Sequence, residues 1–114
     1  MKQFYTAVTD LRRRVTGGFT TFPYEAGWAD EATYFVTIEE SSAGALGVQL
    51  AVQISADGIR WHDEGTTMTV APDSAEFVRL THFGGFLRLA GSMESADGGP
   101  DASAVVTVRL ALKG

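Results

Sequence analysis

Between positions 46 and 55 the side chains alternate with a period of two: Leu46, Val48, Leu50, Val52 and Ile54 on one face, Gly47, Gln49, Ala51, Gln53 and Ser55 on the other. A helix would spread these five apolar residues around its circumference, whereas a strand gathers them on one side, so the segment reads as a strand with one buried face. The same period recurs along the chain. Residues 33–40 are rich in β-branched and aromatic side chains and stop at Ser41-Ser42-Ala43-Gly44, a loop composition. Asp57-Gly58 supplies the backbone angles of a tight hairpin turn, after which Ile59 and Trp61 start the return strand. Alternation resumes over 66–70, 76–81, 86–90 and 104–112, the last with Val106, Val108, Leu110 and Leu112 on one face. About eight short strands at this spacing predict an all-β chain, a single-domain antiparallel β-sandwich of jelly-roll type.

Two segments depart from the pattern. Residues 23–32 read as an irregular crossing or one helical turn, with Trp28 plugging an open end of the core. Residues 92–103 have no apolar periodicity and read as a long exposed loop. With 114 residues, 45% of them hydrophobic, the chain has material for one core, so we expect one domain over 1–114 with residues 1–22 as an amino-terminal arm or edge strand. There is no cysteine, which leaves no disulfide or thiolate chemistry. The first residues lack the apolar core of a signal peptide, and no apolar run approaches the roughly 20 residues of a membrane helix. A soluble protein of the cytoplasm or of a virion is expected.

Charge is unevenly placed. Residues 1–15 carry Lys2, Arg12, Arg13 and Arg14 against Asp10, a balance of +3, while the chain as a whole carries −5. A basic leading segment on an acidic body can bind an acidic patch on a neighbouring copy, or simply be a solvated loop. A pI near 4.8 argues against a dedicated nucleic-acid binder.

No residue set reads as catalytic. His62, Asp63 and Glu64 are consecutive, and neighbours on a strand point to opposite faces, so they do not converge on one metal or substrate. His82, the other histidine, reads as a hydrogen-bonded surface residue. Glu94, Asp97 and Asp101 could offer oxygen ligands to a hard cation, yet their spacing is not that of a calcium loop. Phe83-Gly84-Gly85-Phe86 is followed by a strand rather than by a helix amino terminus that could hold a phosphate. There is no Gly-x-Ser-x-Gly, the elbow of a serine nucleophile. We expect no enzyme, no cofactor and no metal.

The run Gln53-Ile54-Ser55-Ala56-Asp57-Gly58-Ile59-Arg60-Trp61, with its Ser-x-Asp-Gly-x-x-Trp pattern, resembles the hairpin of discoidin-type and related carbohydrate-binding β-sandwiches. That resemblance implies an aromatic packed beneath the turn. Phe86-Leu87-Arg88-Leu89 is similar to a strand of those domains. In size and fold class the chain also looks like small virion accessory proteins of tailed phages, such as decoration and head- or tail-completion proteins.

Two functions follow. The first is a non-enzymatic structural protein that assembles with copies of itself or with a larger protein shell, with Phe4, Tyr5, Val8 and Leu11 as apolar anchors and Arg12, Arg13 and Arg14 setting register on an acidic neighbour. The alternative is a binding module for a glycan or similar ligand, with Tyr24, Trp28 and Trp61 stacking on sugar faces.

Overall fold

The computed structural model describes residues 3–81, 83–96 and 102–114. Among them the chain forms nine strands: β1 (Phe4–Thr16), β2 (Gly18–Thr20), β3 (Tyr24–Glu25), β4 (Glu31–Glu39), β5 (Ala45–Ser55), β6 (His62–Val70), β7 (Ala75–Leu80), β8 (Phe86–Ser95) and β9 (Ser103–Lys113). One sheet has the order β1-β9-β4-β7 and the other β2-β8-β5-β6, with β3 pairing β8. All pairings are antiparallel. With the two-residue β3 set aside, the eight remaining strands run 1-8-3-6 in one sheet and 2-7-4-5 in the other, which is the winding of a jelly roll.

Alternation along each strand fills the space between the sheets. Tyr34, Val36 and Ile38 of β4 and Val106, Val108, Leu110 and Leu112 of β9 meet Val48, Leu50 and Val52 of β5 and Leu87 and Leu89 of β8, all buried. Each is worth about 1.5–3 kcal/mol in burial.

Several details differ from what the sequence suggests, each for a local reason. Leu46 is 55% exposed rather than continuing the buried row of β5. A bulge between Ala45 and Gly47 breaks the period there, and one extra residue turns a side chain to the other face. Gly47 has φ 129, and a Cβ on it would come 2.6 Å from the Val70 carbonyl oxygen, so the position tolerates only glycine. The exposed loop expected over 92–103 does not hold at either end, because β8 continues through Ser95 and β9 starts at Ser103, while residues 97–101 lie outside the described residues. Pairing with β5 holds Ser92, Met93, Glu94 and Ser95 in the sheet despite their modest strand preference. Trp28 is not a plug: it is 41% exposed, and Ala26 is the buried residue of that crossing. The crossing is irregular rather than helical, tied by Ala26 N–H to Gly85 O (2.7 Å) and Asp30 N–H to Lys113 O (2.8 Å).

Candidate functional site

The expected arm lies along its own sheet. β1 pairs β9 from Phe4 opposite Lys113 to Thr16 opposite Ser103, with register shifts between Val8 and Asp10 and between Asp10 and Arg13. The first shift turns Asp10 inward, opposite buried Val108, and the alternation that follows the second divides the three arginines. Arg13 is opposite buried Val106 and therefore turns toward the gap between the sheets. Its Nη1 donates to Asp10 Oδ2 (3.0 Å) and to the Thr20 carbonyl (2.7 Å), and its guanidinium lies near the rings of Phe19 and Phe22. Asp10 is buried, and its Oδ1 accepts the Phe22 N–H at 3.2 Å. Arg12, at φ 47, and Arg14 stand on the outer face instead, where Arg12 pairs with Glu39 and Glu40 and Arg14 with Glu40. The Glu39 hydrogen bond and charge raise the pKa of Arg12 further above its ordinary value.

Of the apolar anchors, Phe4 and Leu11 are strongly exposed, Val8 and Tyr5 about half so. Val8 is opposite Arg109, Arg109 is opposite Phe35, and Phe35 is opposite Phe77. Directly opposed residues share a face, so these four form one row across the outer face of the β1-β9-β4-β7 sheet. Phe35 and Phe77 have ring centroids 5.9 Å apart, and Arg79 lies 5.4 Å from the Phe77 centroid. Phe35, Thr37, Ala75, Phe77 and Arg109 border a hollow of about 290 Å³. Phe35 and Phe77 were not singled out above, although the signal was present. Tyr34, Val36 and Ile38 define the inner face of that run, which leaves Phe35 on the face where a polar residue belongs.

The stacking candidates separate. Tyr24 and Trp28 join Gln3, Phe4 and Tyr5 around an open cleft of about 530 Å³. Tyr5 and Tyr24 stack with centroids 6.4 Å apart; partial burial and the hydrogen bond to Tyr5 raise the Tyr24 phenol above its usual pKa. The cleft lies beside the meeting of the termini, where the Gly114 N–H donates to Gln3 O at 2.9 Å. Thus half of the expected arm anchors and two of the three expected stacking aromatics belong to one cleft.

Trp61 is elsewhere. The hairpin expected at Asp57-Gly58 is a six-residue connection over 56–61 rather than a tight turn, and Trp61 precedes β6 instead of lying within it. Ser55 Oγ accepts from the N–H of Gly58 (2.8 Å), and Asp57 Oδ1 accepts from those of Ile59 (2.8 Å) and Arg60 (2.9 Å). Those backbone donors, with the Ser55 hydroxyl, hold the Asp57 carboxyl below the usual carboxylate range. The turn thereby satisfies itself, and Trp61 packs on Arg88, whose guanidinium carbon is 4.3 Å from its ring centroid, rather than beneath the turn.

The acid and histidine candidates do not assemble. His62 and Asp63 are exposed at the start of β6 and Glu94 lies on β8; His82, Asp97 and Asp101 lie outside the described residues. Among the described residues no group of three or more His, Asp or Glu side chains is placed to hold a metal ion, and no helix is long and apolar enough to cross a membrane.

No curated protein matches the sequence. Among solved structures the chain is similar, over 100% of its length, to the SPBc2 prophage-derived protein YomS, at 10% identity and TM-score 0.59, covering 96% of that chain. It is similar over 98% of its length to the PBSX exported protein XepA, at 8% identity and TM-score 0.58, and spans 36% of that chain. VP2 of infectious bursal disease virus, from its subviral particle, matches over 98% at 16% identity and TM-score 0.65, with 32% of that chain spanned. At such identities the likeness is one of fold. The discoidin-type resemblance expected of the hairpin at 53–61 has no support in these matches: the family model that matches is a different one, described as a domain of unknown function and covering residues 28–110. By that match, which takes in more than half of its length, the chain belongs to the DUF6385 family.

Proposed function

We propose that this chain is a non-enzymatic structural protein that assembles with copies of itself or within a larger protein shell, in the manner of a virion component. The observation that carries the reading is the outward row Val8, Arg109, Phe35 and Phe77. A sheet facing water should alternate to polar residues there, whereas aromatics bordered by arginine are the composition of a buried interface centre. The fold supports the same reading, because VP2, which shares it, comes from a subviral particle. The test is the solution mass by light scattering at two salt concentrations, for the natural chain and for the double variant Phe35→Ser, Phe77→Ser. A mass above 12.2 kDa that returns to 12.2 kDa in the variant is expected; a monomer for both, with or without other shell proteins added, would remove the reading.

The cleft of Phe4, Tyr5, Tyr24 and Trp28 favours a second reading, a module that stacks an apolar sugar face or similar ligand on its rings. A glycan array whose hits do not depend on Tyr24 and Trp28 eliminates it.

A further inference from the structure

The outer face of the second sheet is polar, and one arginine on it is unusually fixed. Arg88 of β8 is opposite Gln53 of β5, which is opposite Asp63 of β6. Arg88 Nε donates to Gln53 Oε1 at 2.7 Å, and Gln53 Nε2 donates to Asp63 Oδ1 at 3.0 Å. The guanidinium carbon also lies over the Trp61 ring, 4.3 Å from its centroid. Every valence that orients the side chain is used, while its two Nη groups have no hydrogen-bond or ion-pair partner among the described residues. An arginine held in this way presents a planar two-donor fork without the entropy cost of ordering a free side chain, the arrangement that binds a carboxylate or sulfate with two parallel hydrogen bonds.

Next to that fork the sheet is shallowly hollow. Ala51, Ala90 and Thr67 form the adjacent cross-strand row and Gln49, Ser92 and Thr69 the one after it, about 7 Å of strand separating one row from the next. These six residues line a trough of about 370 Å³. Its alanines let a ligand approach the sheet, and its hydroxyls and amides offer both donors and acceptors. β5 and β8 are paired on both sides, so their backbone groups are committed and cannot extend the sheet onto a peptide strand. Recognition there must pass through side-chain hydroxyls and amides, which suits a ligand that is itself rich in hydroxyls.

We propose that the trough and Arg88 form a binding site for an acidic saccharide, its carboxylate or sulfate on the Arg88 fork and its hydroxyls along Gln49, Ser92, Thr67 and Thr69. The site is separate from the Phe35–Phe77 row and from the aromatic cleft, and stands whether or not either acts as proposed. The experiment is calorimetric titration of the full chain, at low ionic strength, with hexagalacturonate, a heparin hexasaccharide and neutral maltohexaose. At least one acidic probe should bind at least about tenfold more tightly than the neutral one, and which one binds distinguishes carboxylate from sulfate. Arg88→Gln and Arg88→Lys should each weaken that binding about tenfold, because lysine keeps the charge and loses the fork. Gln53→Met, which frees the fork while leaving the charge, should weaken it in the same direction. Lys113→Gln, the loss of one charge on the other sheet, should change it by less than about twofold. Binding of neither acidic probe overturns the proposal, as does equal loss in Lys113→Gln and Arg88→Gln, or full retention by Arg88→Lys. Unchanged thermal unfolding of the Arg88 variants separates a lost site from a lost fold.

Discussion

Asp10 is a carboxylate that alternation from Val8 would leave in water and that the register shift between them turns to the inner face, opposite Val108. It is 3% exposed and survives there because Arg13 and the Phe22 N–H satisfy both of its oxygens. The pair fastens β1 of one sheet to the β2–β3 connection of the other, so its loss is felt by both sheets. Asp10→Ala leaves a partly covered guanidinium and a backbone N–H without their acceptor, and we expect it to cost about 2–3 kcal/mol in urea unfolding. Beside it, burial, with a contribution from the Asp10 charge, pushes the Tyr34 phenol well above its ordinary pKa, and its hydroxyl is buried without a hydrogen-bond partner among the described residues. Removing a polar group that makes no bond relieves a desolvation cost, so Tyr34→Phe should unfold at the same or a higher temperature. Asp57 makes the complementary case at the surface. Its folded pKa is lowered, so its contribution is complete above the ordinary value of 3.8 and fades as the pH falls through the folded pKa. Ser55→Ala removes one of the donors that hold the carboxylate, and the Asp57 titration followed by NMR should move upward.

The arginine triplet reads in sequence as one basic run, but strand alternation places Arg13 inside and Arg12 and Arg14 outside, and the bulge after Val8 turns Asp10 inward to meet Arg13. Bulges leave no mark in hydrophobic periodicity, and for the same reason the outward turn of Leu46 before Gly47 could not be read from its neighbours. What was legible was the middle of the central strands: β4, β5 and β9 are paired on both sides, and over 32–38, 48–54 and 108–112 every second residue is apolar and falls on one face. The end of β8 was not legible, since Ser92 to Ser95 are strand only through their partners in β5. The aromatics of the cleft were found singly, as an arm and as stacking candidates, because their meeting depends on where the termini close. A free arm could be deleted without consequence for the fold, whereas β1 covers one whole edge of β9 and supplies Asp10 and Val15 to the interior. Removing residues 1–14 would open β9 to unpaired backbone groups. Loss of the cooperative unfolding transition, or aggregation, is therefore expected in circular dichroism melts, rather than a folded monomer.

At the scale of the molecule the two outer faces are different surfaces on one jelly roll. The β1-β9-β4-β7 face carries Val8, Phe35 and Phe77, with Arg109 between Val8 and Phe35 and Arg79 beside Phe77, while the β2-β8-β5-β6 face carries threonine, serine, glutamine and alanine. Two surfaces on the first sheet compete for the role of assembly contact: the aromatic row, and the outward arginines of β1. The second is already occupied, since Arg12 and Arg14 are paired with Glu39 and Glu40 within the chain. A partner carboxylate would have to displace one that is tethered nearby, for the small gain of an exposed ion pair. The aromatic row has no such competitor, and burying it removes apolar area from water at about 25 cal/mol per Å². Charge reversal at Arg12 and Arg14 should therefore lower the unfolding temperature slightly, through repulsion from Glu39 and Glu40, and leave the mass in light scattering unchanged. Phe35→Ser with Phe77→Ser should instead abolish the proposed assembly and lower the unfolding temperature modestly through the lost ring pair, because both side chains are about half exposed in the monomer. If reversal of the arginines dissociates the assembly instead, and does so only at low salt, the contact is electrostatic and belongs to β1.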